Sequence, residues 1–251
     1  SSISYTHNDE KIVDLPDGDL IAKKLFEGHP IKTFYDFKYA GIWSTAEEEE
    51  AAKYGCQPGY VKIETVEQFT TDENGNLVGD GGVHTYSNTR DLQILGSNVP
   101  DGILGVNNTF KYRDFDLSVF AIVRYGQMID SKTIGWYSAN GNNQPRGTNY
   151  WTPENQSAYF PRPGIASTTG IGSLKYIDGS YAKIKNITLG YTFPKKLCKT
   201  LGLEQCRLYA TAYNVFVLPF KSELKHSDPE NNGSDTFPLY KTYLLGLNVS
   251  F

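Results

Sequence analysis

Long apolar runs are missing from this chain. No stretch approaches the roughly 18 consecutive apolar residues that a transmembrane helix needs. That excludes helical spans only, because the strands of a membrane barrel hide their apolar half by alternation. Histidines are few: His7, His29, His84 and His226 are scattered, and none stands at a zinc or triad spacing. No glycine loop of the phosphate-binding kind occurs. Positive charge is not in excess; the net charge of -4 argues against a nucleic-acid partner. The cysteines are Cys56, Cys198 and Cys206. Cys198 and Cys206 flank one short connection and can pair in an oxidising compartment, or all three can remain thiols. Glu47 to Glu50 place carboxylates side by side, but a solvated helix face accounts for them better than glycoside hydrolysis does. No catalytic constellation emerges, and no enzyme is expected.

What is present is aromatic and turn-rich: 18 Tyr, 13 Phe and 24 Gly, a composition of strands and turns. The final stretch, Lys241 to Phe251, shows the pattern best. With a period of two, Tyr243, Leu245, Leu247, Val249 and Phe251 share one face, while Thr242, Leu244, Gly246, Asn248 and Ser250 share the other. Phe115 to Tyr125 alternates in the same way and follows Ile103 to Tyr112 across the tight turn Arg113-Asp114. These runs are about ten residues long, enough for a tilted strand to cross a bilayer, where most globular strands are about half that. Further strands are expected at Ile3–Val13, Thr33–Gly41, Tyr181–Phe193 and Arg207–Phe216, the last with an ambiguous face. A helix is expected at Thr45–Gly55, capped by Thr45, and helical turns at Leu20–Glu27 and Lys195–Gly202.

The connections are unequal. Residues 113–114 and 194–205 are short; 41–102, 126–180 and 217–239 are long. An up-and-down outer-membrane barrel has short periplasmic turns and long extracellular loops, and aromatic girdles at both interfaces. The expected fold is therefore all-β: an antiparallel transmembrane β-barrel segment of about seven strands. Its rivals are a soluble carbohydrate-binding β-sandwich and a complete small barrel of about eight strands. The opening Ser1-Ser-Ile-Ser-Tyr5 already has strand character, so a processed product or a fragment is expected.

Several stretches resemble one family in order and spacing: Gly28-His-Pro-Ile31 leading to Phe34-Tyr-Asp-Phe-Lys-Tyr-Ala-Gly-Ile-Trp43; Ile94-Leu-Gly-Ser-Asn-Val-Pro100; Phe110-Lys-Tyr-Arg-Asp-Phe-Asp-Leu-Ser-Val-Phe120; Trp151-Thr-Pro-Glu-Asn155; Asp178 to Tyr191; Arg207 to Phe216; Asp228-Pro-Glu230; and the final strand. Together they are similar to the C-terminal part of SusC/RagA-type TonB-dependent outer-membrane transporters of the Bacteroidota. The resemblance implies a plugged barrel of about 22 strands, of which residues 1–251 are a C-terminal portion without the plug. It implies these partners: the remaining N-terminal barrel and plug polypeptide, a SusD-like surface lipoprotein, TonB-ExbB-ExbD through the missing part, an oligosaccharide or peptide ligand, and outer-membrane lipid. On that reading the two outer strands, Ile3–Val13 and Lys241–Phe251, pair with strands of another polypeptide, because open edges are not tolerated in hydrocarbon.

Two sets of candidate site residues follow. Trp136, Tyr137, Tyr150 and Trp151 offer rings for stacking on sugars, and Asn140, Asn142 and Asn143 offer hydrogen bonds to hydroxyls; the alternative is that they pack their own long loop or meet the lipoprotein. Many members of the family carry an acidic loop before the Ile-Leu-Gly stretch that looks like a calcium site. Here Asp72, Asn74 and Asn76, with Asp80 further on, place oxygens at alternate positions that suit Ca2+. A plain Asn-Gly turn is the other reading. No other cofactor is expected.

Overall fold

The computed structural model describes residues 1–137, 147–165, 169–237 and 239–251. Along the chain the strands are β1 (Ser2–His7), β2 (Thr33–Ile42), β3 (Val61–Glu64), β4 (Phe69–Thr71), β5 (Leu77–Gly79), β6 (Leu92–Ser97), β7 (Gly102–Tyr112), β8 (Phe115–Tyr125), β9 (Met128–Asp130), β10 (Tyr176–Asp178), β11 (Tyr181–Thr192), β12 (Gln205–Pro219) and β13 (Thr242–Ser250). Short helices α1 (Glu48–Lys53), α2 (Lys132–Gly135) and α3 (Lys195–Thr200) lie between them. Two compact units result. The first combines Ser1–Asp9, Val99–Met128 and Asp178–Phe251; the second combines Glu10–Asn98 and Ile129–Ile177.

The first unit is a six-stranded antiparallel sheet in the order β1-β7-β8-β11-β12-β13. Its register explains its two faces. Phe110 lies opposite Leu117, Leu117 opposite Leu189, Leu189 opposite Ala210, and Ala210 opposite Leu245. Ile3 and Tyr5 extend the same face, opposite Val106 and Leu104. The side-chain period of two then puts every partner of this row on one surface. Among the described residues this face stays open: Phe110 is 59% exposed, Leu189 50% and Leu245 75%. A soluble protein rarely leaves so large an apolar patch open, and the sandwich fails on this point.

Aromatics fringe the apolar face at both ends. At the hairpin end Phe115 packs on Tyr191 at 4.7 Å, and Tyr191 on Phe193 at 5.2 Å. At the opposite end the hydroxyls of Tyr5 and Tyr125 meet at 2.8 Å. The ambiguous strand is settled by its neighbours. Leu208, Ala210 and Ala212 pair with Leu247, Leu245 and Tyr243, so they join the apolar face. A register shift between Ile184 and Asn186 changes which parity of β11 faces it, leaving Lys183 on the polar side.

The sequence expectation needs three corrections. Thr33–Gly41 is not a strand of this sheet. As β2 it sits between β3 and β6 in a three-stranded sheet of the second unit. Tyr35, Phe37 and Tyr39 alternate with Asp36 and Lys38 as any half-buried strand does, and alternation does not name the ladder partner. Ile3–Val13 shortens to β1; beyond it the Asn8 amide turns to the Asp101 carbonyl, and Ile12 bridges to Glu27 in the second unit. The sheet therefore has six strands of this chain, and one connection, residues 8–101, replaces two. Finally, Ser44 caps the helical segment through a reciprocal box with Glu47, while Thr45 bonds Gln156. That box and Lys62 bring the Glu47 carboxyl down to about 2, with the Lys62 hydrogen bond the largest cause.

The long connections 8–101, 126–180 and 220–241 all leave from one end of the sheet. The short ones, 113–114 and 193–204, lie at the other. The outer edges of β1 and β13 have no partner strand among the described residues. The sheet is open, so this chain by itself is not a complete small barrel. All three cysteines are thiols here.

Candidate functional site

The polar face of the sheet carries charge that the apolar face lacks. Arg207 Nε and Nη2 donate to the two oxygens of Asp116 at 3.0 and 2.6 Å, a bidentate pair. The guanidinium crosses over Gly190, where a Cβ would stand 2.3 Å from Arg207 Nη2. Only glycine leaves that path open. Nearby, the hydroxyls of Thr188 and Thr211 meet at 2.9 Å.

Toward the other end of β11 stands a tighter cluster. Lys183 is 1% exposed by side chain, and its ammonium donates to Asp228 and Glu230, each at 2.6 Å. Lys185 donates to the other oxygen of Glu230. Asp228 also caps the turn at Pro229–Asn231, accepting from the Glu230 amide at 3.1 Å. Connection 220–241 is thus tied down on the polar face by the Asp228-Pro-Glu230 stretch. Burial lifts the Glu230 carboxyl, but the two lysines outweigh it and hold it below its usual range.

The second unit separates the loop aromatics into two kinds. Tyr137 is buried, stacks on Phe160 at 4.7 Å, and donates its hydroxyl to the Pro161 carbonyl at 2.5 Å. Trp151 is 2% exposed and its ring closes over Gly59, where a Cβ would come within 2.8 Å. Gly59 has φ +86°, so the position needs glycine on two counts. Burial gives these two rings packing roles in the loop. Trp136 and Tyr150 stay exposed. Asn140, Asn142 and Asn143 lie outside the described residues. The Trp151–Asn155 stretch is a local turn: Thr152 and Asn155 bridge, and the Asn155 amide group donates to Asn149 and to the Tyr150 carbonyl.

Asp72, Asn74 and Asn76 form the turn between β4 and β5. Asp72 Oδ1 accepts from the amides of Asn74 and Asn76, at 2.9 and 2.8 Å, and Oδ2 accepts from Asn76 Nδ2 at 3.2 Å. Those bonds hold the carboxyl below its usual pKa, the Asn76 amide contributing most. The oxygens serve the hairpin, and a calcium ion here would have to displace these donors.

A feature that sequence reading missed lies beside that hairpin. His84 Nδ1 meets Asp80 at 2.7 Å, and Nε2 meets Asp91 at 3.0 Å. Asp91 is fully buried and accepts from the amides of Val66 and Ser87. The four-residue step from Asp80 to His84 was the available signal, but Asp91 comes from a separate turn. Burial opposes charge on His84; the hydrogen bonds to Asp91 and Asp80 outweigh it and raise its pKa above 6.5. A raised histidine stabilises fully below its unfolded pKa and loses that contribution as pH rises through the folded value. Asp80, lowered chiefly by the Gln68 amide, sets the acid limit. Amide exchange at Val66 and Ser87, corrected for intrinsic rates, should therefore be slow near pH 6 and speed up toward about pH 9. His84→Gln should abolish that alkaline trend; an unchanged trend would remove the clasp from consideration.

No family model matches the chain. It is 26% identical over 280 residues to TonB-dependent receptor P3 of Formosa agariphila, an alignment covering 100% of this chain. It is 29% identical over 199 residues to TonB-dependent receptor SusC of Bacteroides thetaiotaomicron, covering 74% of this chain. The RagAB peptide transporter superposes with a TM-score of 0.64 at 21% identity over 90% of the chain. The chain is thus similar over its whole length to TonB-dependent receptors of the SusC/RagA type. It spans 26% of the length of P3 and 18% of SusC, so about a quarter or less of the curated relatives it matches. The RagAB peptide importer in its open-open state aligns with 99% of the chain and 26% of its own length. The sheet accordingly matches a wall segment of an outer-membrane transporter barrel, a fold in which the exposed apolar face is the one that meets lipid.

Proposed function

We propose that this chain forms part of an active importer of glycan or peptide fragments and carries no catalysis of its own. The remaining barrel and plug complete the wall against β1 and β13. A SusD-like lipoprotein caps the outer mouth, and TonB-ExbB-ExbD supplies energy through the part outside this chain. The observation that carries this reading is the division of one sheet into an apolar face open to lipid and a polar, ion-paired face, with every long connection at one end. The short connections and Phe251 then face the periplasm, and the long ones face outward. Trp136 and Tyr150, the exposed members of the aromatic set, are the proposed ligand contacts, together with Asn140, Asn142 and Asn143. The Asp72 turn is retained as a proposed cation position only through displacement of its own donors.

The test uses the native host. Cells lacking the gene are grown on oligosaccharide or on peptide mixtures as sole nutrient, with the wild-type gene or a Trp136→Ala/Tyr150→Ala version restored. Uptake of one nutrient class should require the gene and TonB, and the double variant should lower uptake several-fold at unchanged surface abundance. Uptake that survives loss of TonB would overturn the reading. For orientation, a cysteine at Asn232 should react with an impermeant probe on intact cells and one at Lys199 should not.

A further inference from the structure

The short helix α3, at the hairpin end of the sheet, is amphipathic in a way the transport reading does not use. At 100° per residue, Lys195, Lys199 and Lys196 fall on one arc, and Leu197 and Leu201 fall on the next. Cys198 is buried, which anchors the helix through the side bordering the leucine arc. Leu197 is 47% exposed and Leu201 65%. Among the described residues, no acidic side chain is within ion-pair distance of the three lysines. Two leucines are thus held out beside three free ammonium groups.

What surrounds this helix identifies what covers it. The chain enters it directly from Tyr191 and Phe193, aromatic-fringe residues of the lipid-facing surface, and Phe193 continues the ladder by donating to the Cys206 carbonyl at 2.9 Å. On the neighbouring hairpin, Arg113 sits over the Tyr112 ring at 5.4 Å, placing another cation just past the same fringe. The acidic residues on these two connections are Asp114 and Glu204. Basic side chains therefore predominate just beyond an aromatic girdle, and exposed leucines continue the apolar face into the helix. Apolar groups at the acyl boundary with ammonium groups at the phosphate level are the arrangement of an interfacial helix.

We propose that α3 is a binding surface for anionic phospholipid of the periplasmic leaflet. Leu197 and Leu201 insert among the acyl chains, and Lys195, Lys196 and Lys199 hold the headgroup phosphates. The proposal rests on the barrel-wall reading, which makes this end of the sheet periplasmic. The interaction pins the wall at the inner interface by charge as well as by burial.

Native mass spectrometry of the complete protein, exchanged into micelles doped equally with phosphatidylglycerol and phosphatidylcholine, tests it. The wild type should retain phosphatidylglycerol about tenfold over phosphatidylcholine, the scale set by a few lysines near an anionic surface. Lys195→Gln/Lys196→Gln/Lys199→Gln should erase the preference, and Leu197→Ser/Leu201→Ser should weaken retention of both lipids. Each variant is first checked for an unchanged heat-modifiable band, since all these side chains are exposed and off the strands. Equal retention by wild type, or an undiminished preference in the lysine variant, would overturn the proposal. So would competition by inorganic phosphate at equal concentration, which would make this a free-anion site. A wild type that fails to enter micelles as a folded barrel sinks the wall reading itself, and this proposal with it.

Discussion

Lys183→Met is expected to lower the stability of the wall by about 3–5 kcal/mol, the cost of breaking a buried ion pair by removing one partner. Lys183 is 1% exposed by side chain, whereas Asp228 and Glu230 are 16% and 21% exposed. Without the ammonium, Asp228 keeps a charge that no other lysine contacts, and Glu230 keeps only Lys185. The connection 220–241 should then lift from the polar face. In the complete protein the temperature at which the compact unboiled band disappears should fall by several degrees. Combining Lys183→Met with Asp228→Asn and Glu230→Gln should recover much of the loss, because the orphaned charges go as well. A single variant as stable as wild type would show that the cluster contributes nothing net. The pH dependence has a definite sign. Glu230 is held below its usual pKa of 4.5 by its lysines. Its contribution is therefore complete above 4.5 and is lost as pH falls through the lowered value. The tether should loosen in acid and stay intact through neutrality.

The second large effect separates the two faces of the sheet. Leu189→Arg places a cation in the middle of the apolar row, between Leu117 and Ala210. Leu189 is the next apolar-face residue in from the Tyr191 fringe, so on a lipid-covered face this costs about 1–2 kcal/mol, between the interfacial and midplane values. Ser118→Arg stands on the polar face, opposite Thr188 and Thr109, and should be tolerated with altered selectivity rather than lost folding. Reversible unfolding from lipid vesicles would measure both. In a water-exposed sheet the order would not hold: Leu189 is already half exposed, and arginine there would be nearly neutral. Equal, small effects at the two sites would therefore contradict a lipid-covered face.

Much of this protein was legible in its sequence because the property in question was local. The ten-residue alternation from Phe115 to Tyr125, the tight turn at Arg113-Asp114 and the apolar set ending at Phe251 are each set by neighbours along the chain, and the structure carries them with their faces as expected. The unequal connections were legible for the same reason. Where two faces both looked plausible, as in Arg207–Phe216, the answer lay in the partners on β11 and β13. Where alternation was present but its partner was remote, as in Thr33–Gly41, the strand went to another sheet altogether. Trp136 and Trp151 read alike as aromatic loop residues, but one is exposed and the other closes over Gly59.

The sequence by itself determined the long strands β7, β8, β11 and β13, their alternating faces and the Arg113-Asp114 turn, since a period of two and a turn residue are written in consecutive positions. Only the tertiary structure decided which strands share a ladder, which carboxylates meet Lys183 and His84, and which aromatic rings are left exposed. Those outcomes depend on contacts between residues tens of positions apart. Their energies reside in desolvation and hydrogen bonding that no local pattern encodes.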